Sequence, residues 1–135
     1  MAAFDVALIG TGEDPENPSV EGFAMAYQHA DAYEAIDDCS VVACADIVPE
    51  NARAFAERYG VSEDGVFTDY EGMIEAVEPD VVSVCVPPAL HADIVVDVIR
   101  SGVVDAVHCE KPMDLTYGGA RLMAQEASRR DVQLT

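Results

Sequence analysis

Two glycines, Gly10 and Gly12, follow directly on the apolar run Val6-Ala7-Leu8-Ile9, with Thr11 between them. A lone acid, Asp46, closes a second apolar run, Val41-Val42-Ala43-Cys44-Ala45. Glycines at the end of a strand let the backbone turn sharply and approach a pyrophosphate, whose charge suits the N-terminus of the helix that follows. A carboxylate about 20 residues further on accepts both hydroxyls of an unphosphorylated ribose. Asp46 lies 34 positions beyond Gly12, or 25 once the nine-residue polar insertion 13–21 is set aside. Gly22, just past the insertion, is placed to act as a third glycine. Ile47 and Val48 follow Asp46 with no adjacent arginine to hold a 2′-phosphate, which favours NAD over NADP. A loop or helix-capping role is the plainer reading of Asp46. The insertion carries Glu13, Asp14, Glu16 and Glu21, and these charges oppose a pyrophosphate unless they point outward.

Such residues need a scaffold that gathers them, and the hydrophobic pattern supplies one. Short apolar runs at 6–9, 41–45, 66–68, 81–86, 106–109 and 132–134 read as strands. Between them lie helical patterns at about 22–36, 49–59, 69–77, 91–101 and 116–130. Pro49 near a first turn, Asp69 as a cap, and Gly60 and Gly102 as stops mark several helix ends. Strictly alternating elements with strands apolar on both faces predict an α/β fold: a doubly wound parallel sheet of about six strands, helices on both faces. In such sheets ligands bind beyond the carboxyl ends of the strands, where the strand order reverses. That edge collects Gly10-Thr11-Gly12, Asp46, Pro87-Pro88, His91 and Glu110-Lys111-Pro112.

The chain has 135 residues, about one domain, and half are hydrophobic. Its 26 acidic and 7 basic residues give a net charge of −19, which excludes a general nucleic-acid binder. No apolar stretch approaches a membrane span, and the N-terminus shows no signal peptide, so a soluble cytoplasmic protein is expected. An acid-rich surface with a single lysine suits a salt-rich cytoplasm, where short-range screening relieves self-repulsion, and predicts a halophilic source. The four cysteines, Cys39, Cys44, Cys85 and Cys109, have no zinc spacing; reduced thiols and no metal site are expected. His29 shares a helical face with Met25, Ala26, Tyr33 and Ile36 and reads as a part-buried core histidine. His108, within a strand, reads as a packing or edge residue.

Taken in order, the motifs resemble the nucleotide-binding Rossmann domain of the glucose–fructose oxidoreductase / inositol dehydrogenase (Gfo/Idh/MocA) family. The resemblance runs through Ile9-Gly10-Thr11-Gly12, residues 22–29, Ala45-Asp46, Pro49-Glu50-Asn51-Ala52, and Tyr59-Gly60-Val61. It continues through Thr68-Asp69-Tyr70, Asp80-Val81-Val82, Val86-Pro87, His91 and Glu110-Lys111-Pro112. It implies an NAD(P)-dependent oxidoreductase acting on a sugar, cyclitol or related polyol, with a homo-oligomer possible. It places Gly10, Thr11, Gly12 and Asp46 on the dinucleotide, Val86, Pro87 and His91 along it, and Glu110 and Lys111 beside the nicotinamide. Pro88 departs from the family, which often has asparagine there. The family also continues into a second, substrate-binding domain, so residues 1–135 are expected to be the dinucleotide-binding part alone.

Within that resemblance Lys111 is the catalytic candidate. Hydride transfer needs a group to take the proton of the substrate hydroxyl, and Lys111 ends the fifth strand. A non-catalytic dinucleotide sensor working through a partner uses the same residues without turnover. An S-adenosylmethionine methyltransferase also uses a glycine turn and a strand-closing acid. However, no Asp or Asn precedes Pro87, no aromatic follows Pro88, and Glu110-Lys111-Pro112 has no role there.

Overall fold

Val6, Ala7, Leu8 and Ile9 are all buried, yet they serve two different cores. Successive strand side chains point to opposite faces, so Val6 and Leu8 pack with one set of helices and Ala7 and Ile9 with the other. This central strand, β1 (Phe4–Ile9), belongs to a six-stranded sheet in the order β3-β2-β1-β4-β5-β6, parallel at every pairing. The other strands are β2 (Cys39–Ala45), β3 (Val66–Phe67), β4 (Val81–Val84), β5 (Ala106–Cys109) and β6 (Gln133–Leu134). The helices are α1 (Met25–Glu34), α2 (Pro49–Tyr59), α3 (Tyr70–Val77), α4 (His91–Arg100) and α5 (Tyr117–Arg129). The computed structural model describes residues 2–18 and 24–135; Gly22 and Phe23, expected to open the first helix, lie outside them.

One face carries α1 and α2, where Ala26, Tyr27, Ala30, Ala52 and Phe55 cover Val6, Leu8, Val41 and Cys44. The other carries α3, α4 and α5, whose Met73, Ile94, Val95, Val98 and Met123 cover Ala7, Ile9, Val82 and Val107. Both layers form from sequences with small or β-branched residues in the strands and a single apolar stripe on each helix. The expected end signals operate. Pro49 opens α2, Gly60 closes it at φ +67°, and the Asp69 carboxylate accepts the Gly72 N–H at 2.7 Å. The Thr116 hydroxyl caps α5 by accepting the Gly119 N–H at 3.0 Å.

Glu126 pins α5 to α4. Its carboxylate, 3% exposed, faces the guanidinium groups of Arg100 (3.2 Å), Arg129 (3.2 Å) and Arg130 (3.5 Å). Those cations hold the Glu126 carboxyl below its ordinary range. Strand β4 is shorter than the sequence pattern suggests, ending at Val84 instead of Val86. Two residues on, the Val86 carbonyl lies 2.8 Å from a ring nitrogen of His91.

The strand order reverses between β1 and β4, and the turns after both meet at that point. The Cys85 N–H donates to the Ile9 carbonyl, the Gly10 N–H to Ala45 and the Glu110 N–H to Val84. Four chain segments distant in sequence therefore share one edge of the sheet.

Candidate functional site

Gly10 sits at φ +83°, a conformation that L side chains rarely adopt. A Cβ there would stand 2.8 Å from Val86 Cγ1 and 3.0 Å from the Cys85 carbonyl carbon. The turns after β1 and β4 thus approach too closely for any side chain, which is why this position is glycine. Gly12 is also left-handed, at φ +67°. Asp46 braces the loop: one carboxylate oxygen accepts the Gly12 N–H (3.0 Å) and lies 3.2 Å from the buried Thr11 hydroxyl. Its other oxygen accepts the Val48 N–H at 2.9 Å.

A cleft of about 640 Å³ opens along this edge, lined by Gly10, Gly12, Asp46, Ile47, Val86 and Pro87 among others. Asp69, Glu71 and Asp93 also line it, and among the described residues no lysine or arginine does. The first turn of α1 carries no acidic residue, and Ala24 at its start gives no side-chain cap. At α3 and α5 the Asp69 carboxylate and the Thr116 hydroxyl each accept one first-turn N–H.

The acidic insertion does not simply face this cleft. Asp14 and Glu16 lie 4.0 and 3.7 Å from the Arg58 guanidinium, which rests over the rings of Tyr27 and Tyr59. These are exposed pairs, each worth about 0–1 kcal/mol, but they draw two of the insertion's charges toward the end of α2. Tyr27 itself is buried edge-on to Phe55, and burial pushes its hydroxyl up to about 12.

His91 is fully buried. One ring nitrogen lies 2.8 Å from the Val86 carbonyl, the other 2.8 Å from the Pro112 carbonyl and 3.3 Å from that of Met113. The ring therefore ties the turn after β4 to the loop after β5. That loop holds Glu110, exposed Lys111 and Pro112, the last joined to Lys111 by a cis peptide bond. The Lys111 N–H donates to Glu110 Oε2 at 3.1 Å.

His29 carries contacts that sequence reasoning missed. It is buried as expected, but it is not merely core: Nε2 lies 2.8 Å from Glu110 Oε1 and Nδ1 lies 3.0 Å from Ser83 Oγ. Ser83 Oγ is in turn 2.7 Å from the Tyr33 hydroxyl. The His29 hydrogen bond is the main cause holding the Glu110 carboxyl below its ordinary range. His108, on the exposed side of β5, stacks on His29 at 4.3 Å, and burial followed by that neighbour lowers its titration. One signal could have exposed this cluster. Ser83 is a hydroxyl in the middle of the most apolar strand, and a buried hydroxyl needs partners. Burial and then Glu110 push the Cys85 thiol up to about 12. Among the described residues no group of three or more His, Cys, Asp or Glu is gathered to hold a metal. All four cysteines are free thiols.

Residues 4–135 match a family described as an oxidoreductase family with an NAD-binding Rossmann fold. The chain is 35% identical over 124 residues to D-glucoside 3-dehydrogenase of Escherichia coli K12, covering 92% of this chain and 31% of that protein. It is 36% identical over 87 residues to inositol 2-dehydrogenase of Rhizobium meliloti, covering 64% and 24%. Among solved structures, an NAD binding oxidoreductase from Klebsiella pneumoniae superposes with a TM-score of 0.79 at 28% identity, over 98% of this chain and 34% of that one. The chain thus spans about a third or less of the length of these relatives.

Proposed function

Because the chain belongs to the Gfo/Idh/MocA oxidoreductase family, with its NAD-binding Rossmann fold, we propose that residues 1–135 bind NAD for the oxidation or reduction of a sugar, cyclitol or related polyol. The dinucleotide-binding fold comes with the family; the activity, the substrate and the residue roles are the proposal. The rest of the relatives' length supplies the substrate wall, and a homo-oligomer in a salt-rich cytoplasm suits the acidic surface.

A single observation carries the reading. The turns after β1 and β4 meet at the switch point with room for no Cβ at Gly10, beside a cleft that ends on the Asp46 carboxylate. These residues fit a dinucleotide. Gly10 and Gly12 open the backbone toward a pyrophosphate, whose charge suits the start of α1, where the first turn carries no acid. Asp46 accepts the ribose hydroxyls, while the acids around it disfavour a 2′-phosphate. Val86 and Pro87 form the opposing wall. Thr11 and His91, both buried, act by fixing the turns that touch the ligand. Glu110 and Lys111 stand beside the nicotinamide, which when bound supplies the hydride donor or acceptor. Lys111 Nζ takes the proton of the substrate hydroxyl as its carbon is oxidised, and returns it in the reverse direction.

The test is a titration of the full-length protein with NAD and NADP, followed by turnover on a panel of sugars and polyols. Tight NAD binding with turnover supports the reading. Binding without turnover on any polyol favours a sensor, and no binding of either dinucleotide ends the proposal.

A further inference from the structure

The polar run behind Glu110 is more than packing. With His29 neutral, one assignment of hydrogens uses each donor once. The Tyr33 O–H donates to Ser83 Oγ (2.7 Å), the Ser83 O–H donates to His29 Nδ1 (3.0 Å), and the His29 Nε2–H donates to Glu110 Oε1 (2.8 Å). The Lys111 N–H completes it on Glu110 Oε2 (3.1 Å). Ser83 and Tyr33 thereby fix which ring nitrogen carries the proton, as the third member of a catalytic triad orients its base. The run crosses from α1 through β4 to the loop after β5, from a fully buried Ser83 to an exposed Lys111. The groups facing His29 are Ser83 within β4, Cys85 just after it, His108 on β5, and Glu110.

We infer that His29, backed by Ser83 and Tyr33, is a positioning residue: it fixes the Glu110 carboxylate, and through it the backbone of Lys111, at the carboxyl edge of the sheet. The inference rests on the reading of Lys111 as the proton acceptor. His29 is not itself a lining residue of the cleft, and it meets that lining only at the Cys85 thiol, 3.7 Å from Nδ1, so its effect is expected on turnover more than on dinucleotide affinity.

Two amide substitutions separate the ring's two contacts. A glutamine amide reaches the place of Nε2 and keeps a donor for Glu110; an asparagine reaches only the place of Nδ1 and keeps Ser83. In the full-length protein, His29→Asn is expected to lower kcat roughly 10- to 100-fold with the dinucleotide Kd changed by no more than about twofold. His29→Gln should recover most of that loss. Equal losses in the two variants, or a Kd that rises as kcat falls, would overturn the inference.

A second measurement needs neither activity nor a stable variant. Long-range proton–nitrogen spectra of the 15N-labelled wild type should show His29 protonated at Nε2 and bare at Nδ1. A ring protonated at Nδ1 alone, or at both nitrogens, overturns the run of donors. If the wild type binds no dinucleotide, it is the functional reading that fails, and the spectra still decide the orientation of the ring.

Discussion

Asp46→Ala tests the site most directly, because the carboxylate has two separable tasks. On the proposed reading it accepts the ribose hydroxyls, and in the structure it braces the turn through Gly12, Thr11 and Val48. Losing a pair of hydrogen bonds to a charged group costs NAD about 2–3 kcal/mol, or roughly 30- to 150-fold in affinity. Losing the brace loosens the loop by about 1 kcal/mol per bond, but this falls on NAD and NADP alike. NADP gains something back. A 2′-phosphate of about two charges near 5 Å from a carboxylate in water is repelled by about 1–2 kcal/mol, and that repulsion disappears. The ratio of the two affinities therefore moves toward NADP by about 3–5 kcal/mol, roughly two to four orders of magnitude. Calorimetric titration of wild type and variant with both dinucleotides, at one fixed salt concentration, gives the ratio free of the brace. A ratio that stays where it was while both affinities drop would show that Asp46 only holds the loop.

Lys111→Ala in the full-length protein should lower turnover by roughly 100-fold or more while NAD affinity stays within a few-fold; an unchanged kcat would remove Lys111 from the chemistry. Gly10→Ala should destabilise by about 2–4 kcal/mol, from the left-handed backbone and the overlap with Val86, and a wild-type urea midpoint would contradict the packing at the switch point. The thiols of Cys44 and Cys85 are pushed to about 12 and that of Cys109 to about 11, in each case first by burial. A raised value means a protonated thiol, so at pH 8 only about one in 1,000 to 10,000 of these groups is thiolate. Aromatic disulfide titration should find them unreactive until the fold is opened, and three fast-reacting native thiols would refute their burial. Dinucleotide affinity should rise as potassium chloride goes from about 0.1 to 1 M, because the Debye length shrinks from ~10 to ~3 Å and the acids of the cleft are screened. A basic site would respond in the opposite direction.

The sheet and its two faces were legible because each rests on local periodicity. The alternation at Val6, Ala7, Leu8 and Ile9 names two cores before any partner is known, and Pro49, Gly60 and Asp69 mark helix ends by chemistry within one turn. The glycine turn and Asp46 were legible for a related reason, since both sit where a strand must stop. The His29–Glu110 contact was not, because its partners are 81 positions apart and meet only through the adjacency of β1, β4 and β5. Helical spacing placed His29 on the inner stripe of α1 correctly, but spacing cannot say that the stripe faces a serine rather than a methyl group. The same limit hid the pairing of Asp14 and Glu16 with Arg58 and the early end of β4 at Val84.

The distribution of cations explains how so acidic a chain can hold an anion at all. Among the described residues, four of the six arginines are already engaged: Arg58 with Asp14 and Glu16, and Arg100, Arg129 and Arg130 with Glu126. The cleft lining contains none. A pyrophosphate there must be met by backbone N–H groups, which carry no net charge and cost nothing in self-repulsion when empty. Such donors work only if the backbone presenting them is fixed beforehand. Asp46 does this for the glycine turn by taking the Gly12 N–H. On the proposed reading, the acid that selects the ribose is also the acid that braces the glycine turn, so one carboxylate at position 46 serves both tasks.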